Sequence, residues 1–197
     1  SDEVNQYFAP EIHRLVGESY YHQGNPQKAR THLNTYVTTT EDPIMRSASY
    51  ALGVMDFDAA DHSAAIEHLS QVTGVSDELA QSALLYLGQT YLKTGDNKLA
   101  ALAFEKASSM DFNREVKEHA FYNYAVCQSK GSATPFGNDI ELFETFLNEF
   151  PTSKLKTNVE QHLVHAYLTT NNYERALASI ENIKNPSATI LNAKQNV

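Results

Sequence analysis

The sequence predicts an all-α fold: a right-handed α-solenoid of about five tandem helical hairpins plus the start of a sixth. Three observations predict it. A small residue recurs every 35 to 39 residues, at Gly17, Gly53, Gly88 and Ala125, with Val164 as the loosest copy. An alanine follows twelve residues later at Ala29, Ala65, Ala100 and Ala176. Four residues beyond each comes a large apolar side chain, Leu33, Leu69, Phe104 and Ile180. The fourth copy is two residues longer and places Asp139 and then Phe143 at those positions. A period in this range belongs to stacked helical hairpins rather than to an enzyme fold.

Each element has a local reason. The small residue on a first helix lets the second helix of its hairpin approach closely. The large apolar residue is the plug between neighbouring hairpins, and Tyr36, Val72, Ala107, Phe146 and Ile183 continue its stripe. Turns follow the same rhythm. Gly24-Asn25-Pro26 supplies a flexible residue, a capping side chain and a proline in the order that ends one helix and begins another. Thr94-Gly95-Asp96 and Asn171-Asn172-Tyr173 repeat the arrangement. The segment Lys130 to Asn138, with Gly131, Pro135 and Gly137, is a longer connection, read as a tolerated insertion or a functional loop.

The repeats fall at about residues 10–43, 44–78, 79–112, 113–154 and 155–188, and 189–197 begin a further helix, all within one domain spanning 1–197. No polar capping helix closes the carboxy-terminal end, so the chain reads as an excerpt of a longer array whose exposed ends favour self-association.

Val16-Gly17-x-x-Tyr20, Leu87-Gly88-x-x-Tyr91 and the partial Leu163-Val164-x-x-Tyr167 carry a first-helix signature, and Gly95, Ala100, Phe104 and Ala107 complete the clearest copy. The chain resembles the tetratricopeptide repeat family over nearly its whole length, from about Pro10 to Val197. It departs from the pattern at Asp56 and Gln128, where the tyrosine is missing, and keeps the inter-repeat proline only as Pro151. Those departures bear on the packing of the second and fourth hairpins. Phe143-x-x-Phe146-Leu147-x-x-Phe150-Pro151-x-Ser153 is similar to a variant found in bacterial cell-envelope members, and the array style resembles that of Bacteroidetes-type bacteria. The resemblance implies a periplasmic or envelope-associated address.

Composition narrows the function further. The chain has 197 residues, 42% of them hydrophobic, with 15 Lys plus Arg against 24 Asp plus Glu for a net charge of −9. An acidic chain with no basic run does not suit phosphate neutralisation, so no nucleic-acid partner is expected. A basic protein partner is one reading of that charge and a solvated surface the other. No apolar run reaches the ~18 residues that a membrane span needs. The chain opens on Ser1 with no basic-then-apolar leader, which leaves any targeting peptide or anchor outside it.

Catalytic chemistry finds little footing. Cys127, the single cysteine, excludes an intrachain disulfide and a cysteine-based structural zinc site, and its place beside Tyr124-Ala125-Val126 is that of a buried structural residue. Among eight histidines, His162-x-x-His165 has helical ligand spacing, yet no carboxylate or thiolate completes a site at a recognised distance. Glu141 with Glu144, and Asp56 with Asp58, lack an apolar pocket that would raise a pKa for acid catalysis. Phosphate loops, nucleophile elbows and dinucleotide fingerprints are absent from the sequence. The expectation is a non-enzyme without cofactor or metal.

Helical spacing of four and three residues on the first helices marks a concave face for a protein or peptide partner. It comprises Arg14, Glu18 and Tyr21; Tyr50, Val54 and Phe57; Leu85, Gln89 and Leu92; Tyr122 and Val126; and Gln161, His165 and Leu168. Roughly a third of these are expected to belong to the core between hairpins, since solenoid faces grade into one another. Such an aromatic and apolar stripe suits an extended peptide or a partner helix. The family's carboxylate clamp uses Lys, Arg and Asn, but the matching positions here hold Arg14, Glu18, Ala51, Ser82 and Tyr86, of which Arg14 alone is compatible. The leading expectation is therefore a non-catalytic interaction scaffold or adaptor. Glycan binding on exposed aromatics and a purely structural, self-associating segment are the alternatives.

Overall fold

The computed structural model describes residues 2–131, 139–169, 173–183 and 185–196, and among these every regular element is an α-helix. In chain order they are α1 (Asp2–His22), α2 (Pro26–Thr39), α3 (Arg46–Asp58), α4 (His62–Ser70), α5 (Glu78–Thr94), α6 (Asn97–Ser108), α7 (Arg114–Gly131), α8 (Asp139–Glu149), α9 (Lys156–Thr169), α10 (Tyr173–Asn182) and α11 (Ala188–Asn196). Helix α1 starts well before the expected Pro10, which lies inside it. The proline marks a first turn in sequence terms, yet the helix absorbs the lost amide donor at that point. The 130–138 connection and the Asn171-Asn172 turn lie largely outside the described residues, as do Val197 and the side chains of Asp139 and Ala176.

The helices form two compact units, Ser1–Asp96 and Asn97–Val197. In the amino-terminal unit α1 packs on α2 and α3 on α4, while the first helices α1, α3 and α5 contact one another in succession. In the carboxy-terminal unit α7 packs on α8 and α8 on α9, with α10 against α8 and α11 against α9. Helix α11 occupies the stretch where 189–197 are expected to begin a further helix.

A single turn device recurs. The amide of Asn25 donates to Tyr20 O and that of Gly24 to Tyr21 O, at 2.9 and 3.0 Å. Asp61 to Asp56 (2.9 Å) and Ala60 to Phe57 (3.0 Å) repeat the pair, as do Asp96 to Tyr91 (2.9 Å) and Gly95 to Leu92 (3.3 Å). Such paired bonds close a helix through one residue in the left-handed region. That residue is Gly24 (φ 71°), Ala60 (φ 59°) and Gly95 (φ 83°), so the second repeat places a Cβ where the others have none. Asn25 and Asp61 then cap the next helix by accepting from Lys28 N and Ala64 N, each at 3.2 Å.

The small-residue positions work by close approach. A Cβ built on Gly17 would lie 2.7 Å from Leu33 Cγ and one on Gly53 2.6 Å from Leu69 Cγ, each with the leucine amide nitrogen at 3.1 Å. Leu33, Leu69, Ala29 and Ala65 are fully buried beside them. Where the second repeat lacks the tyrosine, a charge cluster takes its place. Asp56 is buried, accepts from Arg30 Nη1 at 2.6 Å and lies 2.7 Å from His68 Nδ1, tying α2, α3 and α4 together. Both oxygens of this buried carboxylate are satisfied, which is the condition for burying it at all. At the equivalent position of the fifth repeat, Tyr167 is fully buried. Cys127 is buried as expected, and burial pushes its thiol pKa up.

Candidate functional site

Three first helices of the amino-terminal unit gather four aromatic rings. Tyr50 of α3 meets Tyr86 of α5 edge to face at 6.3 Å, and Phe57 of α3 meets the same ring at 5.4 Å. Both are favoured arrangements for rings with a negative face and positive edge. Tyr21 of α1 lies close enough to Tyr50 and Tyr86 for their charges to couple. All four rings are half-buried, which leaves part of each reachable by a second molecule.

Burial is the first cause of every shift here. It pushes the Tyr21 hydroxyl up to about 12, with Tyr86 and Asp58 adding to the effect. Tyr50 is raised further by burial and then by Tyr21 and Tyr86, against a hydrogen bond from Ser82. Tyr86 is raised by burial and Asp58. At neutral pH all three hydroxyls are therefore protonated and able to donate.

The edge of this face is closed to anions. Arg14 forms ion pairs with Glu11 and with Glu18, the latter through Nη1 at 2.8 Å, and Ser47 Oγ donates to Glu18 at 2.6 Å across the α1–α3 contact. The Glu11 hydrogen bond raises the Arg14 pKa against the effect of burial, and Glu18 adds to it. The one clamp-compatible residue is thus already neutralised by its own helix.

The expected face residues separate into classes. Arg14, Glu18, Tyr21, Tyr50, Phe57 and Gln89 are partly exposed on α1, α3 and α5. Val54 is 5% exposed, so its side chain lies in the interior. Tyr86, assigned in the sequence only to a clamp position, is the ring that meets both Tyr50 and Phe57, while the face was counted through its neighbour Leu85. Its aromatic character was the available signal. A one-residue ambiguity in where a helical face ends hid it.

In the carboxy-terminal unit the corresponding Tyr122 is half-buried against the edge of an aromatic core. Tyr122 packs against Phe146 at 6.3 Å and His162 at 6.2 Å. His162 stacks flat on Phe143, 5.3 Å between centroids and 5° between planes. Burial lowers the His162 pKa, and Lys130 and His165 lower it further. His165, Gln161 and Leu168 are exposed on α9, and Val126 is half-buried. Among the described residues no three His, Cys, Asp or Glu side chains converge on a point that could hold a metal ion. No described helix is long and apolar enough to cross a membrane.

Comparison with known proteins agrees with this architecture. Residues 50–110 match a family model described as tetratricopeptide repeat. Two solved structures of MamA, one of them a mutant, are similar to the chain at 16% identity, with TM-scores of 0.67 and, for the mutant, 0.64. The mutant alignment covers 93% of this chain and 98% of that one, and the other covers 92% and 96%. At that identity the likeness speaks to the fold alone. A search of curated protein sequences gives no match. The family match over residues 50–110, the Gly-x-x-Tyr first helices and the recurring left-handed helix closures together show a tetratricopeptide-repeat architecture.

Proposed function

We propose that the chain is a non-catalytic interaction scaffold that holds a peptide or partner helix on the aromatic face of α1, α3 and α5. The observation that carries this reading is the half-exposed cluster of Tyr21, Tyr50, Phe57 and Tyr86, contributed by three different helices. Rigid, amphipathic rings on a preformed surface give contact area at low ordering cost, and Tyr is enriched where interfaces concentrate their energy. The test is capture of partners from a native extract by the wild-type chain and by Tyr50→Leu/Tyr86→Leu. Loss of capture with unchanged helicity and Tm supports the reading, and equal capture sinks it. Titration with polysaccharides separates a glycan ligand from a protein one.

Self-association is a second reading with its own observation. Phe8, Ile12 and Leu15, spaced along one side of α1, are each more than half exposed. Light scattering over a concentration series, repeated for Ile12→Lys, tests it; a monomer throughout removes it. An envelope location completes the proposal and rests on the resemblance of the Phe143 to Ser153 segment alone. Fractionation of the native cell tests that address.

A further inference from the structure

The two units differ sharply in charge. Residues 1–96 carry 13 Asp plus Glu and 5 Lys plus Arg, whereas residues 97–197 carry 11 and 10. The amino-terminal unit therefore holds nearly all of the chain's net charge of −9. Its few cations are mostly committed. Arg14 pairs with Glu11 and Glu18, Arg30 with Asp56, and Arg46 with Asp77, while Lys28 lies 5.1 Å over the Tyr20 ring. Lys93 ends α5 in an exposed position.

Asp58 stands apart from these pairs. It is exposed at the end of α3, directly after Phe57, whose ring meets Tyr86 at 5.4 Å, and its charge adds to the raised pKa of Tyr21 and Tyr86. Among the described residues no Lys or Arg forms an ion pair with it. A carboxylate without a counter-ion, set beside partly exposed aromatic faces and neutral phenol hydroxyls, is the chemistry that recognises a guanidinium or ammonium group. The ring faces attract a cation through their quadrupole and the carboxylate supplies the opposite charge.

Resting on the aromatic-face reading above, we propose that the partner is a cationic peptide segment, one of whose Arg or Lys side chains docks against Tyr21, Tyr50 and Tyr86 with Asp58 as its counter-charge. The acidic field of the whole amino-terminal unit draws such a segment in, and the four rings fix where it stops.

The test uses three fluorescein-labelled dodecapeptides of repeating Xaa-Leu-Ser, with Xaa as Arg, Gln or Glu, titrated against the full chain at fixed salt. The Arg peptide is expected to bind at least about fivefold more tightly than the Gln peptide. Asp58→Asn removes most of that preference and leaves binding of the Gln peptide unchanged. Glu67→Gln, the same charge change at an exposed site on α4, leaves the preference intact. Equal effects of Asp58→Asn and Glu67→Gln would show bulk charge attraction and overturn the proposal. Equal binding of Arg and Gln peptides, both lost in Tyr50→Leu/Tyr86→Leu, also overturns it while the aromatic face stands as a docking surface. No binding of any of the three peptides overturns both.

Discussion

The two units build the same hairpin with different side chains. In residues 1–96 the described buried core is aliphatic apart from Tyr36, with leucines seated directly on Gly17 and Gly53, and Tyr20, Tyr21, Tyr50, Phe57, Tyr86 and Tyr91 are half-buried on α1, α3 and α5. In residues 97–197 the core is aromatic. Phe121, Phe143, Phe146 and Phe150 bury against Leu163 and Tyr167, and Ala125 stands where the earlier repeats have glycine. The contacts at Gly17 and Gly53 close on a leucine, whereas Ala125 lies in a cluster with the ring of Phe143. The difference teaches that one hairpin geometry can be filled either by leucines seated on glycine or by a cluster of rings.

The largest expected effect probes the aromatic core. Phe146→Ala should destabilise by about 4 kcal/mol, because it removes a fully buried ring that touches Phe121, Tyr122 and Phe150. Urea unfolding measures it, and a loss below ~1 kcal/mol would mean that the carboxy-terminal core does not depend on its rings. Next is the glycine contact. Gly53→Leu should cost about 3 kcal/mol, since even a Cβ meets Leu69 Cγ at 2.6 Å and the backbone behind it. A mild effect there would erase the contrast between the two modes of closure.

Smaller effects sharpen the comparison at the turns. Ala60→Gly should stabilise by about 1 kcal/mol, because it removes a Cβ from the left-handed closure that Gly24 and Gly95 make without one. A shift of Tm upward, with Gly24→Ala moving it down, checks the sign. The smallest is a pH effect at Asp77. Its carboxyl is held down to about 2, first by Arg46 and then by the Ala80 amide that it caps. A depressed carboxylate stabilises the folded state above its ordinary pKa of 3.8 and loses that contribution as pH falls toward 2. The acid limb of a stability-versus-pH profile should therefore flatten between those values in Asp77→Asn.

Much of this was legible in the chain. Gly17 and Gly53 announced close helix contacts, but Leu33 and Leu69, expected as plugs between neighbouring hairpins, meet these glycines within their own hairpins. Helical spacing puts Tyr21, Tyr50 and Phe57 on one side of their helices, and all three are half-buried. Val54 obeyed the same spacing and lies inside, because burial depends on which neighbour arrives and not on the helix alone. Asp56 read as a lost tyrosine and became a buried carboxylate between Arg30 and His68, partners 26 and 12 residues away. Spacing within one helix could not show that pairing. Phe143-x-x-Phe146-Leu147-x-x-Phe150, which read as an address, serves first as core, with all four side chains buried.

Local chemistry by itself determined the helices, their turns and the repeat that sets them in order, because small residues, caps and left-handed closures act within a few residues of each other. Only the tertiary structure decided which rings of different helices meet. Tyr86 meets Tyr50 and Phe57 while Tyr122 meets Phe146 and His162, contacts that join separate helices and that no single helix encodes.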